Sequence, residues 1–201
     1  MILAPIPSMI TGESAGETLL PERRVTNFGD WFSGLLAQSP AAYAHIDKYL
    51  RSAMPDFKDI KNPLIGTDAR SMTVQFNQDG AALSLPLSLL SDGEKCFFIC
   101  AVVLAANEAY GPVFCFWDEP DNYLSPDEVG HFVMGLRRAF QEGSQLLVTS
   151  HNVETIRQFP GDDILLLHRR NHLEPTVVRR VSDLQYHGDI GDVLTRGDFP
   201  V

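Results

Sequence analysis

The stretch SLLSDGEK, residues 88–95, decides the fold because it joins a tight polar turn to the start of a long apolar helix. Ser91 stands at the helix N-cap and Glu94 follows three residues later, which is the spacing of a capping box. Gly93 lets the backbone approach a neighbouring group closely. Such a helix start presents unpaired N–H groups and a positive dipole end, and both suit phosphate oxygens. Most Ser-x-x-Glu starts only cap a helix, so the stretch needs support from elsewhere.

Two apolar runs downstream give that support, because each ends in polar side chains. Residues 113–119 (VFCFWDE) end in the adjacent carboxylates Asp118 and Glu119, and residues 146–152 (LLVTSHN) end around His151. Both runs are typical of buried parallel strands, which deliver polar residues at the edge where open α/β sheets bind their ligands. We therefore expect Asp118, Glu119 and His151 to lie at one edge of a single sheet.

These features, in this order, resemble the nucleotide-binding domain of ABC-type ATPases. The likeness is greatest to the soluble AAA-like branch, with RecF-, SMC- and overcoming-lysogenisation-type proteins as relatives. Residues 90–94 resemble the signature motif, residues 114–119 resemble Walker B with its catalytic Glu, and His151 lies where the switch histidine belongs. The D-loop position is taken by Asn122, Tyr123, Leu124 and Ser125. Order and spacing agree across residues 85–170.

The resemblance implies a role for each residue. Asp118 would hold Mg²⁺, usually through water, Glu119 would act as general base on the attacking water, and His151 would contact the γ-phosphate. The signature would face the ATP of an opposite protomer, and the D-loop would cross the same seam of a homodimer or heterodimer. The signature residues are Ser91, Asp92, Gly93 and Glu94. ATP would hold two halves together and hydrolysis would release them.

Simpler interpretations exist for the same residues. Adjacent carboxylates at a strand end are often only solvated, and a single histidine at a strand end is more often structural. Ser125 precedes Pro126 and is followed three residues later by Glu128, so a capping role explains Ser125 as well as a D-loop role does.

The family's Gly-rich phosphate loop with its Lys, and the Gln-loop after it, cannot be found in residues 1–90. The stretch GESAGET, residues 12–18, comes closest to G-x-x-x-x-G-K-S/T, but its glycines are one residue too close and Glu17 replaces the lysine. A carboxylate cannot replace an ammonium beside a triphosphate. We therefore expect the C-terminal half of an ATPase domain: a truncated form, a split-gene product or a degenerate protein. It would need a Walker A-bearing half or upstream segment to bind ATP tightly and hydrolyse it.

Composition limits the class of protein. The chain has 201 residues, of which 44% are hydrophobic, enough for one domain with a proper core. The net charge of −10 argues against a broad nucleic-acid-binding face, and it leaves two local arginine pairs, 169–170 and 179–180, for which a solvated surface is the simpler interpretation. The three cysteines lie in apolar runs and are expected to be reduced core residues. No apolar run is long enough to span a bilayer, and we expect a cytoplasmic protein.

The pattern of apolar residues predicts an α/β fold with a mostly parallel sheet and crossover helices, similar to half of a P-loop ABC ATPase. A small helical subdomain and a β-hairpin accompany it. The predicted division is an irregular lead-in, the helical subdomain with the hairpin, the ATPase core half, and a tail; these are residues 1–27, 28–90, 91–181 and 182–201.

Individual elements follow from local signals. Helices are predicted over residues 28–36, over 41–54, from the Ser125 cap to Gly143, and over 153–159. Residues 72–87 alternate around a turn at 77–80, which indicates the hairpin. Further strands are predicted at residues 145–149, 164–167 and 176–181.

Three functions stay open from the sequence. The first is an ATPase half that drives a conformational switch in DNA maintenance or phage defence, with any DNA bound through a partner. The second is a non-catalytic interaction module that lends its signature helix to a partner ATPase. The third is an unrelated Mg²⁺-dependent phosphoesterase that uses Asp118, Glu119 and His151, and it predicts activity without any partner.

Overall fold

A computed structural model describes residues 1–141, 143–184 and 188–196. The chain forms two compact units, Met1–Thr149 and Ser150–Val201, and each is described by itself. Within the described residues, no helix is both long and apolar enough to cross a membrane.

The first unit contains four helices and nine strands among its described residues. The strands are β1 (Ile2–Leu3), β2 (Glu13–Ser14), β3 (Phe57–Lys61), β4 (Leu64–Ile65), β5 (Ala69–Ser71), β6 (Thr73–Gln78), β7 (Ala81–Pro86), β8 (Phe114–Asp118) and β9 (Gln145–Thr149). The helices are α1 (Phe28–Gln38), α2 (Ala42–Ala53), α3 (Asp92–Tyr110) and α4 (Pro126–Ala139).

The parallel sheet that carries the predicted site has three strands in the order β1-β8-β9. Phe116 of β8 pairs with Ile2 on one side and with Leu147 on the other. The alternate residues Cys115 and Trp117 are fully buried, and the Trp117 ring packs edge-on against Phe132 of α4, with ring centroids 5.5 Å apart. Helix α4 connects the two parallel strands β8 and β9. The predicted α/β fold with a parallel sheet and crossover helices is confirmed.

Helix α3 forms the centre of this unit. It runs for 19 residues and is buried from Lys95 to Val103, with α1, α2 and α4 all packed against it. From Cys96 to Val103 every residue is apolar, so this part of α3 has no polar face and is buried on all sides. The predicted capping box is present, because Ser91 Oγ accepts the Glu94 N–H at 3.2 Å and Glu94 Oε2 accepts the Ser91 N–H at 2.7 Å.

The predicted hairpin is also present and belongs to a larger antiparallel sheet. Strands β6 and β7 pair through Phe76 and Leu83, and Asp79 and Gly80 form their turn with positive φ angles of 51° and 85°. Strand β3, which the sequence does not predict, pairs with β6 and completes the order β3-β6-β7. Its charged residues and a bulge between Phe57 and Asp59 interrupt the alternation of apolar residues that would indicate a strand.

The amino-terminal segment differs from the predicted irregular lead-in. Strand β1 pairs in parallel with β8, and β2 pairs with β5 in a second antiparallel sheet of order β2-β5-β4. Both strands have two residues, too few to show any periodicity. Their partners lie far along the chain, so the local sequence carries no signal for them.

The second unit contains α5 (Val153–Arg157), β10 (Leu165–His168), β11 (Val177–Arg180) and α6 (Ile190–Arg196) among its described residues. The predicted last strand is present as β11 and pairs antiparallel with β10. Arg157 of α5 donates to Asp189 at 2.7 and 2.9 Å and to Glu154 at 2.6 Å. Helix α6 falls inside the predicted tail 182–201, of which residues 185–187 and 197–201 lie outside the described residues.

The three cysteines are free and buried in the first unit, as expected. Burial raises the pKa of Cys96 to about 12 and that of Cys115 to about 12. Both thiols are therefore protonated and unreactive at physiological pH.

Two glycines test the packing of the first unit. A Cβ on Gly29 of α1 would lie 2.1 Å from the Glu13 carbonyl oxygen, whereas a Cβ on Gly130 of α4 would meet nothing within 4 Å. We expect Gly29→Ala to lower the free energy of unfolding by about 1–3 kcal/mol through overpacking. Gly130→Ala should raise it by about 0.5–1 kcal/mol, because alanine favours a helix interior. Urea denaturation measures both; equal effects would contradict the packing of α1 on the β2 segment.

Candidate functional site

The carboxyl ends of β8 and β9 meet at one edge of the parallel sheet, where Asp118 pairs with Thr149. The Thr149 hydroxyl donates to Asp118 Oδ1 at 2.6 Å. The Glu119 N–H in turn donates to Thr149 Oγ1 at 3.0 Å and to the Thr149 carbonyl oxygen at 3.2 Å. One threonine therefore holds both residues of the predicted Walker B pair in place.

Glu119 has a backbone conformation that is uncommon for its residue type. Its φ of +47° lies in the left-handed region, which costs a non-glycine residue about 1–3 kcal/mol. Such strain persists only where the surroundings determine it, and it is concentrated at functional sites. Here the two acceptors on Thr149 hold the backbone, and the Asn122 side-chain amide donates to Glu119 Oε2. The carboxylate thus leaves the strand end in a fixed direction and is half-buried.

The turn after β8 also contains a buried acid that the sequence did not single out. Asp121 is 3% exposed, and its carbonyl oxygen accepts the Leu124 N–H at 3.2 Å. Its only sequence signal is its position in the run that follows Pro120. Thr149 was missed as well, because its role depends on the register between two strands that lie far apart in the sequence.

The predicted signature and the predicted D-loop lie against each other within the chain. A Cβ on Gly93 would come within 2.9 Å of the Tyr123 carbonyl oxygen, so only glycine fits this contact without a shift. Ser91 is exposed and Asp92 and Glu94 are partly exposed, as a surface that faces a second molecule requires. Tyr123 itself is 45% exposed.

Ser125 forms a second capping box at the start of α4, where its N–H donates to Glu128 Oε2 at 2.8 Å. The capping role therefore accounts for this residue. The crossing of a dimer seam by Asn122, Tyr123, Leu124 and Ser125 stays a prediction.

His151 belongs to the second unit and is exposed. Its neighbour Asn152 caps α5, since Asn152 Oδ1 accepts the Glu154 N–H at 2.9 Å. The expected approach of His151 to Asp118 and Glu119 stays a prediction.

The turn at residues 12–18 does not fit a phosphate group. The Ala15 and Gly16 N–H groups both donate to Asp30 Oδ1 at 3.0 Å. A carboxylate of the protein thus occupies the donors that a phosphate would need.

The fit to Mg²⁺ is partial. Among the described residues, no cluster of three or more His, Cys, Asp or Glu side chains could hold a metal ion. Mg²⁺ is usually held by one or two carboxylates together with water and substrate phosphates, so Asp118 fits as one ligand of an ion that a nucleotide also binds. That ion would supply charge neutralisation for the phosphate oxygens.

The threonine contact can be tested by its removal. We expect Thr149→Val to lower the free energy of unfolding by about 1–2 kcal/mol, because Asp118 loses its hydroxyl donor and the Glu119 N–H loses one acceptor. Thr149→Ser keeps the hydroxyl and should stay within about 0.5 kcal/mol of the parent chain. Urea denaturation measures both variants. A Val variant as stable as the Ser variant would show that the hydroxyl does not hold the two strand ends.

Known structures share this fold. A chain from work on ATP-driven dimerization and DNA-stimulated activation of SMC ATPases is 15% identical, with a TM-score of 0.59 over 83% of this chain and 96% of that chain. The Smc head domain with a coiled coil and joint from Pyrococcus yayanosii is 14% identical, with a TM-score of 0.60 over 86% of this chain and 31% of that one. A Pyrococcus furiosus Smc head bound to the C-terminal domain of ScpA is 14% identical, with a TM-score of 0.56 over 80% and 43%.

At these identities the likeness concerns the fold, and it agrees with the α/β architecture and the parallel sheet seen here. None of the curated proteins compared with the chain matches it. A family described as "AAA domain, putative AbiEii toxin, Type IV TA system" matches residues 12–157. Because this match covers well over half of the sequence, the chain belongs to that family of AAA domains.

Proposed function

We propose that this chain supplies the Walker B, signature and D-loop parts of an ATP-hydrolysing site, and that a Walker A-bearing half or upstream segment supplies the phosphate loop. The family places the chain among AAA-like ATPase domains, which in general use ATP and Mg²⁺. The 201 residues contain no G-x-x-x-x-G-K-S/T stretch, and the nearest turn is filled by Asp30. Hydrolysis therefore depends on completion of the site, and the chain alone is inactive.

The observation that carries the proposal is the strained, fixed position of Glu119. A general base must hold its carboxylate oxygen toward the attacking water, and a group that is already held loses little freedom in doing so. Thr149 fixes the backbone of Glu119, and Asn122 fixes the carboxylate. Asp118 accepts the Thr149 hydroxyl at the same edge of the sheet and would serve as a ligand of the magnesium ion.

The signature would bind nucleotide across a dimer seam. The exposure of Ser91 and the close contact of Gly93 with Tyr123 are consistent with both predicted elements sharing one surface of the first unit. Binding of ATP between two such surfaces would hold the halves together, and hydrolysis would separate them. ATP-driven dimerization is described for one SMC ATPase of the same fold, which supports this arrangement. His151 is proposed as the switch histidine that senses the γ-phosphate.

The process served would be DNA maintenance or phage defence. The fold is shared with SMC ATPases, and work on one of them describes activation that DNA stimulates. This likeness supports DNA maintenance. The family description names a putative toxin of a Type IV TA system, and phage defence is the second process that we propose. DNA would reach the ATPase site through a partner, and another Smc head is described in complex with ScpA, a protein partner.

A second candidate is a non-catalytic module that lends its signature helix to a partner ATPase. The specific observation in its favour is the Asp30 carboxylate in the turn at Ala15 and Gly16, which leaves the described chain without a phosphate cradle there. In that case the signature residues would contact the nucleotide of the partner ATPase, and Asp118 and Glu119 would take no part in hydrolysis.

ATP turnover with and without a Walker A-bearing half separates these functions. We expect no turnover by the chain alone, turnover by the mixture, and a loss of about 100-fold or more in the mixture with Glu119→Gln, because the general base is removed. Glu108→Gln, an exposed change on α3 with the same loss of charge, is the control and should leave turnover unchanged.

Each other outcome has a defined meaning. Turnover by the purified chain alone that Glu119→Gln abolishes would contradict the need for a second half and would favour the phosphoesterase. Turnover in the mixture that is insensitive to Glu119→Gln would contradict the hydrolytic role and leave the interaction module.

A further inference from the structure

Strand β7 lies at one edge of the sheet β3-β6-β7, and among the described residues no strand pairs with its outer side. Two bonds at the ends of β6 show how the backbone groups alternate. On the β7 side, the Leu87 N–H donates to the Met72 carbonyl oxygen at 3.1 Å. On the β3 side, the Asn77 N–H donates to the Asp56 carbonyl oxygen at 2.8 Å. Because bonded and non-bonded pairs alternate along an antiparallel ladder, the even-numbered residues of β6 bond to the odd-numbered residues of β7.

The even-numbered residues of β7 therefore direct their backbone N–H and C=O groups away from the sheet. Ala82 and Ser84 are both exposed, so this edge is open to solvent. Pro86 is the third residue on the outward side, where its missing N–H costs no bond to β6. The edge thus offers backbone donors and acceptors to a further strand.

The opposite edge of the same sheet is protected, and β7 is not. Strand β3 carries Lys58 and Lys61 and has a bulge between Phe57 and Asp59. Lysines and bulges of this kind keep an edge strand from pairing with other chains. Residues 80–91, by contrast, contain no Asp, Glu, Lys or Arg. An edge without such protection is expected to be covered by another strand.

The side chain of Leu83 also lacks cover. Leu83 pairs with Phe76 and therefore lies on the same face of the sheet. Phe76 is only 7% exposed, whereas Leu83 is 54% exposed. The core therefore covers β6 and leaves β7 projecting beyond it. A strand added next to β7 would bring a further apolar side chain against Leu83.

We propose that β7 pairs antiparallel with β7 of a second copy of this chain, so that two three-stranded sheets join into one sheet of six strands. A two-fold axis at Leu83 sets this residue opposite its own copy and sets Ala82 opposite Ser84 of the second copy. Both outward-facing residues then form hydrogen-bonded pairs. In this register Ala81, Leu83 and Leu85 of both copies share one face. A shift by one residue would set Leu83 opposite Ser84, so the apolar pattern selects the register.

A second copy suits this edge because the edge is complementary to itself. The same two residues supply donors and acceptors on both sides of the axis, and the apolar alternation is in step on both sides. Two chains with a formal net charge of −10 repel each other, and the uncharged residues 80–91 are where that repulsion is least. Because each copy uses a single edge, the assembly closes at a dimer. The inference does not rest on the ATPase proposal, since the pairing needs no nucleotide.

Sedimentation equilibrium of the full 201-residue chain, without nucleotide or Mg²⁺, tests the pairing. We expect a monomer–dimer equilibrium at chain concentrations of about 1–500 µM. Leu83→Lys sets two ammonium groups opposite each other at the axis and should weaken the dimer about tenfold or more. Leu64→Lys is the matched control, because Leu64 is 53% exposed on β4, the edge strand of the sheet β2-β5-β4. It should change the dissociation constant of the dimer by less than about twofold.

Two further changes test the hydrogen bonds and the register. Ser84→Pro removes an outward N–H and keeps the bonds to β6, so each dimer loses two hydrogen bonds and should weaken about tenfold. Leu83→Cys should form a disulfide between two copies on oxidation with diamide, because the Cα atoms of a non-hydrogen-bonded pair lie about 4.5 Å apart. Ala82→Cys should not, because it lies opposite Ser84 of the second copy. The native cysteines are buried and do not compete.

Each contrary outcome overturns the proposal. A chain that stays monomeric over the whole range would leave the edge of β7 to a strand of a different protein. Equal effects of Leu83→Lys and Leu64→Lys, oligomers larger than two copies, or equal cross-linking of Leu83→Cys and Ala82→Cys would contradict pairing about an axis at Leu83. A dimer that forms only with ATP would agree with the proposed signature seam and would contradict pairing through β7.

Discussion

The hydroxyl of Thr149 is the contact on which the proposed site depends. It donates to Asp118 Oδ1 and accepts the Glu119 N–H, so it joins the ends of two parallel strands and holds both acids at once. Without the hydroxyl, the Glu119 N–H would keep only the Thr149 carbonyl oxygen as an acceptor, so one fewer hydrogen bond would hold the positive φ of Glu119. The direction of the proposed general base is thus determined by the neighbouring strand as well as by its own.

A second set of contacts connects this strand end to the predicted signature at the start of α3. The turn after β8 places Asn122 against the Glu119 carboxylate and the Tyr123 carbonyl oxygen against Gly93. The start of α3 and the proposed catalytic carboxylate are therefore two ends of one short chain of contacts.

The sequence predicts the parts of this arrangement that are encoded locally. The capping boxes at Ser91 and Ser125 are visible because their residues lie three apart, and β8 and β9 are visible as continuous apolar runs. Other parts depend on pairing between distant segments, and no local pattern in the sequence predicts them. Strand β1 has two residues, and a bulge interrupts β3. The contact of Thr149 with Asp118 and Glu119 follows from the register of β8 and β9, and no sequence motif predicts it.

The same division applies to function, because one part of the inference comes from the sequence and another needs the structure. The order of the motifs along the chain by itself indicates an ATPase, and the family match agrees with it. The pairing of β10 with β11 is a further example, because the register that sets Leu166 opposite Arg179 and Leu165 opposite Arg180 has no signal in the local sequence.

Amide hydrogen exchange at Glu119, followed by NMR, tests the central claim most directly. The account predicts that this amide exchanges slowly in the native chain, since it donates to both oxygens of Thr149, and that substitution of Thr149 by Val accelerates its exchange while the amides within α3 keep their protection. Exchange of the Glu119 amide at the rate of an open loop in the native chain would contradict the account, because the strand ends would then not be held together.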